Sequence, residues 1–217
     1  MILIPQYRTA RRASAAAVVT LAYLQSTSST TNSASYTFAA QNIGTATPGR
    51  HIIVAVSARA GTPAAATSVT IGGVTASLIE QTNGQGHAII AIAAVPSGTT
   101  ADVVVTLAGT YARCAIGMWS ADNIDATPFD TTSSTSTSPS ATIDVEAGGI
   151  IIATANAQTA SAVTWTAPAE DYEVYVETNM TATGAGAFYA SADTGKSIGC
   201  NIGGTGPVFI AASWGPA

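Results

Sequence analysis

The sequence predicts an all-β protein, a two-sheet antiparallel sandwich of jelly-roll type with ten or more strands. Three observations predict it. Ile, Val and Thr number 19, 15 and 32 of the 217 residues, whereas Leu, Glu, Lys, Arg and Met together number 20. β-branched side chains fit a pleated sheet and are stiff in a helix, so this balance excludes an all-α fold. Apolar runs of strand length are punctuated by Gly72-Gly73 and Asn83-Gly84, which are tight-hairpin signals. Finally, the second half echoes the first. His51-Ile-Ile-Val-Ala-Val-Ser-Ala is matched by Gly149-Ile-Ile-Ile-Ala-Thr-Ala-Asn, 98 residues on. Ser68-Val-Thr-Ile is matched by Ala162-Val-Thr-Trp, 94 residues on, and Cys114-Ala-Ile-Gly-Met-Trp by Phe209-Ile-Ala-Ala-Ser-Trp, 95 residues on.

Residues 1–16 read as an extended N-terminal arm. Its tip, Met1, Ile2, Leu3 and Ile4, is apolar; Pro5 follows, and then Arg8, Arg11 and Arg12. Residues 11–24 have the outline of a secretory signal, but the apolar tip stands where such a signal has a polar segment. The run is too short and alanine-rich for a transmembrane helix. A first strand near 17–25 follows, with an Ala-rich helix over 10–24 as the alternative. Ser26 to Ser33 reads as a loop, being almost entirely Ser and Thr. Tyr36 and Phe38 alternate with polar neighbours and mark a second strand. Residues 51–58 form a continuous apolar run, which suits a strand covered on both faces. Strands at 68–71, 74–81 and 87–95 form a meander, and 101–108 and 111–120 follow the Pro96–Thr100 loop. Residues 121–142 read as a long surface crossover. Neither half holds enough large residues for a core of its own, so residues 17–217 are expected to form one sandwich domain with an internal pseudo-repeat.

The net charge is −5 and only 9% of residues are charged, well below the roughly 25% usual in soluble domains. Three of the seven bases fall in the arm, and no acid precedes Glu80. From residue 13 onward four bases face twelve acids, a net of −8. Such a chain is not built for nucleic acid as its main partner.

No constellation in the sequence assembles into an active site, and none of its residues is assigned as catalytic, cofactor-binding or metal-ligating. His51 and His87 are the only histidines, and both read as strand-edge residues; neither lies beside a credible Ser or Cys nucleophile. Asp171, Glu173 and Glu177 recur at even spacing with Tyr172, Val174 and Val176 between them, which puts the acids on one solvated face of a strand. Paired carboxylates can serve glycoside hydrolysis, but a solvated face is the expectation. Asp122-Asn-Ile-Asp125 is a weak calcium motif whose spacing fits no EF-hand loop. Cys114 and Cys200 read as small buried hydrophobes, with a single bridge as the minority reading. Trp119 and Trp214 end echoed strands and read as core plugs; a sugar platform would need exposed aromatics on one face.

Several stretches then resemble a known group. Tyr36-Thr-Phe-Ala-Ala-Gln-Asn-Ile-Gly-Thr-Ala, Arg50-His-Ile-Ile-Val-Ala-Val, Val69-Thr-Ile-Gly-Gly-Val-Thr-Ala, Val95-Pro-Ser-Gly-Thr-Thr-Ala-Asp-Val-Val-Val-Thr and the final Ala-Ala-Ser-Trp-Gly-Pro-Ala are similar to small β-rich proteins encoded by tailed bacteriophages and prophages. The resemblance spans about residues 35–217 and carries no active-site residues. It implies a non-enzymatic structural role in the virion, as a capsid-decoration or tail accessory protein assembled in the host cytoplasm. The expected partners are other phage structural proteins and further copies of the chain, with no nucleic acid, membrane or cofactor. Assembly is expected through Ile2, Leu3, Ile4, Arg8, Arg11 and Arg12. The alternative is a glycan-binding module or adhesin, on the virion or secreted.

Overall fold

The computed structural model describes residues 18–217. The expected arm, with Ile2, Leu3, Ile4, Arg8, Arg11 and Arg12, lies outside the described residues. Among those described there is no helix, and every strand pairing is antiparallel. The strands are β1 (Thr20–Ser29), β2 (Ser33–Asn42), β3 (Arg50–Arg59), β4 (Ala66–Ile71), β5 (Val74–Thr75), β6 (Ser77–Asn83), β7 (Gly86–Ala94), β8 (Thr100–Tyr111) and β9 (Arg113–Asp122). They continue as β10 (Asp130–Ser134), β11 (Ser140–Val145), β12 (Gly149–Ala157), β13 (Thr164–Ala167), β14 (Glu170–Tyr175), β15 (Thr181–Tyr189), β16 (Asp193–Asn201) and β17 (Val208–Trp214).

The chain is thus an all-β, multi-strand sandwich, with its strands divided among four sheets rather than two. Sheet I has the order β1-β9-β3-β7-β6 and sheet II the order β2-β8-β4-β5. Sheet III follows β10-β17-β12-β15-β14 and sheet IV follows β11-β16-β13. Three cores separate four layers. Val54, Ile89 and Ile116 of sheet I meet Val69 and Val103 of sheet II. Ile53, Ile90 and Trp119 of sheet I meet Ile152, Ile210 and Trp214 of sheet III. Ile151 and Phe209 of sheet III meet Ile143 and Ile198 of sheet IV. Sheets I and III are therefore covered on both faces, which is why β3, β7 and β12 read as unbroken apolar runs and not as alternating ones.

The echo in the sequence is a duplication of topology. Replacing β1, β9, β3, β7 and β6 by β10, β17, β12, β15 and β14 converts the order of sheet I into that of sheet III. The same substitution converts β2-β8-β4 into β11-β16-β13, leaving only the two-residue β5 without a counterpart. All three echoed stretches fall on equivalent strands. For β3 and β12 the register slips by one residue: Ile53 lies opposite Trp119 and Ile150 opposite Trp214, so Ile53 corresponds to Ile150 and not to Ile151. A one-residue slip exchanges the faces of a strand, and indeed Ile53 and Ile150 face the central core while Ile151 faces the outer one. The two repeats pack reciprocally, β9 of the first against β15 of the second and β17 of the second against β7 of the first, as in an isologous dimer.

Two segments read as loops prove to be strand. Residues 121–142, expected as a crossover, contain β10 and the start of β11, so the connection between the repeats is only the segment 123–129. Likewise β1 runs on through Ser26–Ser29 to the hairpin turn. Both are at sheet edges, where pairing on one side by the backbone suffices and little apolar patterning is needed.

Arg50 opens β3 and is 1% exposed. Its guanidinium donates to five backbone carbonyls: Nε to Val95, Nη1 to Ile43 and Gly44, and Nη2 to Ser97 and Gly98, all at 2.8–3.0 Å. One side chain thereby fixes the loops before β3 and after β7.

Candidate functional site

The nearest approach to a catalytic constellation is built on the hairpin β6–β7. His87, expected at a strand edge, lies on the interior strand β7 and is fully buried. Its Nε2 stands 3.0 Å from Glu80 Oε2 on β6, and its Nδ1 stands 3.0 Å from the Tyr111 hydroxyl at the end of β8. That hydroxyl donates to Ala64 O at 2.7 Å and accepts from Ala64 N at 2.9 Å, while Glu80 Oε2 accepts from Ala66 N at 2.9 Å. Burial lowers the His87 pKa, with Glu80 acting in the opposite sense. Both ring nitrogens and the phenol are committed to protein partners. The arrangement ties the β3–β4 connection to β6, β7 and β8. His51, on β3, is also depressed by burial.

The acids of β14, with Glu177 in the turn after it, are not a bare solvated face. A register irregularity between Glu170 and Tyr172 turns Asp171 inward, where its Oδ2 accepts the Trp119 indole N–H at 2.8 Å. Burial raises the Asp171 pKa, and the indole bond opposes that shift. Glu170 accepts from Thr183 Oγ1 at 2.6 Å, Glu173 accepts from Val163 N at 3.2 Å, and Glu177 pairs with Arg113. Each carboxylate holds a structural donor. Tyr172 and Val176 are buried, as the alternation predicts.

Trp119 and Trp214 are fully buried in the central core. Trp119 packs edge-on to Tyr23 with centroids 5.7 Å apart, and Tyr23 stacks on Tyr172 at 6.0 Å. Trp165 lies against Phe209 in the outer core, so the three indoles share no exposed face. Cys114 and Cys200 are both free and buried. They belong to different cores, which rules out the bridge. In the Asp122–Asp125 loop, Asp122 accepts from the hydroxyls of Thr20 and Thr47, Asn123 donates to Val18 O, and Ile124 is buried. Among the described residues no group of three or more His, Cys, Asp or Glu side chains could hold a metal ion.

Sequence reasoning missed a groove of about 320 Å³ in the β1–β2 hairpin. It is bordered by Ser28 of β1, Thr31 of the turn, and Ser35, Tyr36, Thr37 and Phe38 of β2. β1 is the edge of sheet I and β2 the edge of sheet II, so two strand edges form its walls. None of its lining residues is charged. Ser/Thr-rich sequence reads as a loop signal, and only the pairing of β1 with β9 and of β2 with β8 turns it into a lined wall.

No protein-family model, no curated protein and no solved structure matches this chain significantly.

Proposed function

We propose that the chain is a non-enzymatic structural protein of a tailed-phage virion, an accessory of the head surface or of the tail. The observation that carries this reading is the duplicated architecture: two repeats share one central core and form a four-layer block. Such a block suits a building unit, because its interior is filled by side chains. The only histidine relay is consumed in holding a loop, which favours a non-catalytic role. The sequence resemblance described above points the same way.

In this reading residues 1–16 fasten the block to its neighbours. The apolar tip Ile2, Leu3 and Ile4 would be buried in a partner, each side chain contributing very roughly 1.5–3 kcal/mol before ordering costs. Arg8, Arg11 and Arg12 would form forked bonds to carboxylates of another copy or of a neighbouring phage protein. The protein would then be found in the virion after assembly in the host cytoplasm, as a homo-oligomer or bound to another structural protein.

The test is mass spectrometry of purified heads and tails, combined with deletion of residues 2–14. The full chain should be recovered with one subassembly, and the truncated chain should fold with unchanged spectra yet be lost from it. Absence of the full chain from particles would overturn the virion reading. Normal incorporation of the truncated chain would overturn the role of the arm.

A further inference from the structure

We propose that a cleft at the end of β17 receives the arginines of the N-terminal arm of a second copy, so that two copies of the chain exchange arms. The cleft has a volume of about 290 Å³. Asp125, Pro128 and Phe129 of the connection between the repeats border it, together with Glu146 after β11 and Gly215 and Pro216 after β17. Phe129 is 51% exposed. Two carboxylates and an exposed aromatic ring thus border one opening.

The charges of the chain single out this cleft. Of the twelve acids, Glu146 alone accepts no bond from a described residue. Its carboxylate lies against the backbone of Gly215, where an added Cβ would overlap Oε2. Asp125 Oδ1 accepts from Thr127 N at 2.9 Å, and its Oδ2 has no described partner. The described bases are engaged elsewhere: Arg50 with backbone carbonyls, Arg59 with Gln85, Arg113 with Glu177 and Lys196 with Asp193. The other three of the seven bases are Arg8, Arg11 and Arg12. A guanidinium forks onto a carboxylate and stacks on an aromatic face, so Glu146, Asp125 and Phe129 offer the partners that an arginine uses.

The place where the arm begins favours it as the occupant. Val18 is the first described residue, and its carbonyl accepts from Asn123 Nδ2 at 2.8 Å. Asn123 O accepts from Ala217 N at 2.9 Å, Ile124 bridges Pro216, and Asp125 N donates to Gly215 O at 2.9 Å. The cleft therefore adjoins the root of the arm. Arg12 precedes Val18 by six residues, an extended reach of about 20 Å. Arg8, Arg11 and Arg12 could enter the cleft of their own chain only if the chain turned back between residues 13 and 17. That stretch, Ala-Ser-Ala-Ala-Ala, holds none of Gly, Pro, Asn or Asp, the residues that reverse a chain most readily. A second copy meeting this end of the block removes the need to turn. Because root and cleft adjoin, two arms crossing at one contact fill both clefts, a two-fold arrangement that closes on itself. The inference rests on the assembly role proposed for the arm above, and not on the virion.

The experiment is sedimentation velocity of the full-length chain over a concentration series, with each variant first matched to the wild type in far-UV circular dichroism and melting. The wild type should dimerise, and less so as NaCl rises from about 0.05 to about 0.5 M. Glu146→Gln should weaken the dimer about tenfold, the loss of one charge-assisted hydrogen bond. Glu146→Arg should be monomeric, as should a chain carrying Arg8→Glu, Arg11→Glu and Arg12→Glu. An equimolar mixture of these two monomers should form a heterodimer, because each arm then meets a residue 146 of opposite charge. An arm docked in its own chain cannot produce that result. Glu177→Arg, beside Arg113 at the far end of β9, should leave the dimer intact. A monomeric wild type, a dimer that survives Glu146→Arg, a mixture that stays monomeric, or loss of the dimer in Glu177→Arg would overturn the exchange. Recovery from particles is read separately. A chain absent from virions that still exchanges arms in solution overturns the virion reading alone, and a virion chain whose dimer ignores residue 146 overturns the exchange alone.

Discussion

Arg50 Nε donates to Val95 O at 2.8 Å, so the first residue of β3 is bonded to the residue that follows β7. The other four guanidinium bonds extend this hold to Ile43, Gly44, Ser97 and Gly98. Burial lowers the Arg50 pKa, and the nearby charge of Asp122 opposes that shift. The planar fork of five donors matches five carbonyls, which a lysine with three donors on a flexible stem cannot do. Arg50→Lys should therefore leave at least two buried carbonyls unpaired and cost about 3 kcal/mol or more. Urea unfolding checks this, and a loss below about 0.5 kcal/mol would show that the fork is dispensable.

Gly117 on β9 lies directly beneath the Tyr172 ring, and a Cβ at Gly117 would overlap that ring. Tyr172 belongs to the second repeat and Gly117 to the first, so the missing side chain is what lets the two central sheets close at this point. Gly117→Ala should cost about 1–3 kcal/mol through overpacking. Gly109→Ala, where a Cβ meets nothing within 4 Å, should be close to neutral. Equal melting temperatures for the two variants would contradict this packing.

Both histidines are shifted below their ordinary value of 6.5, chiefly by burial. The unfolded chain then binds protons that the folded chain does not, so stability falls as pH falls through about 6.5 toward the folded-state values. Above that point the imidazoles are neutral in both states and the contribution is flat. His87→Gln should flatten part of this slope in chemical denaturation between pH 7.5 and 5.5, at a cost in stability throughout. An unchanged slope would show that His87 titrates as in an open chain.

The two thiols are buried in separate cores. Burial pushes the Cys200 thiol up to about 12 and raises Cys114 further. Since the thiolate is the reactive form, a thiol-disulfide reagent at pH 8 should label neither cysteine in the native protein and both in denaturant. Rapid labelling of either in the folded chain would contradict the burial.

Much of the fold was legible because covered strands announce themselves. The runs at 51–58, 87–95 and 149–156 are apolar on both faces, and that property is what places β3, β7 and β12 in the two central layers. The turn residues Gly72, Gly73 and Gly84 all have positive φ, which glycine adopts without steric cost. What stayed hidden depends on partners distant in sequence. Asp130-Thr-Thr-Ser-Ser becomes a strand only because β17 is beside it. The number of sheets was hidden because large residues are a poor guide where Ala and Gly allow close packing: Ala88, Ala121 and Ala212 help build the central core. His87 gave no sign of burial, since Glu80 and Tyr111 reach it across a hairpin and from the end of β8. The groove was unreadable for the reason its walls are polar, because Ser and Thr give the same signal in a loop and at a sheet edge.

The pairing of the first strand of each repeat with its last sets an order of events on the ribosome. Thr20 finds its partner only when Asp122 has left the exit tunnel, and Asp130 only when Ser213 has. Until then the strands flanking β9 have nothing between them, so the first repeat closes in a single late step. Once closed, it still presents Ile53, Ile90, Ile92 and Trp119 on the side that sheet III will cover. A nascent chain that has reached the 123–129 connection therefore carries an apolar face with no lid, the kind of surface that chaperones bind and aggregates grow from. Ribosome-bound chains stalled at that connection should recruit chaperones more strongly than chains released at full length, and equal recruitment would mean that the first repeat covers this face by itself.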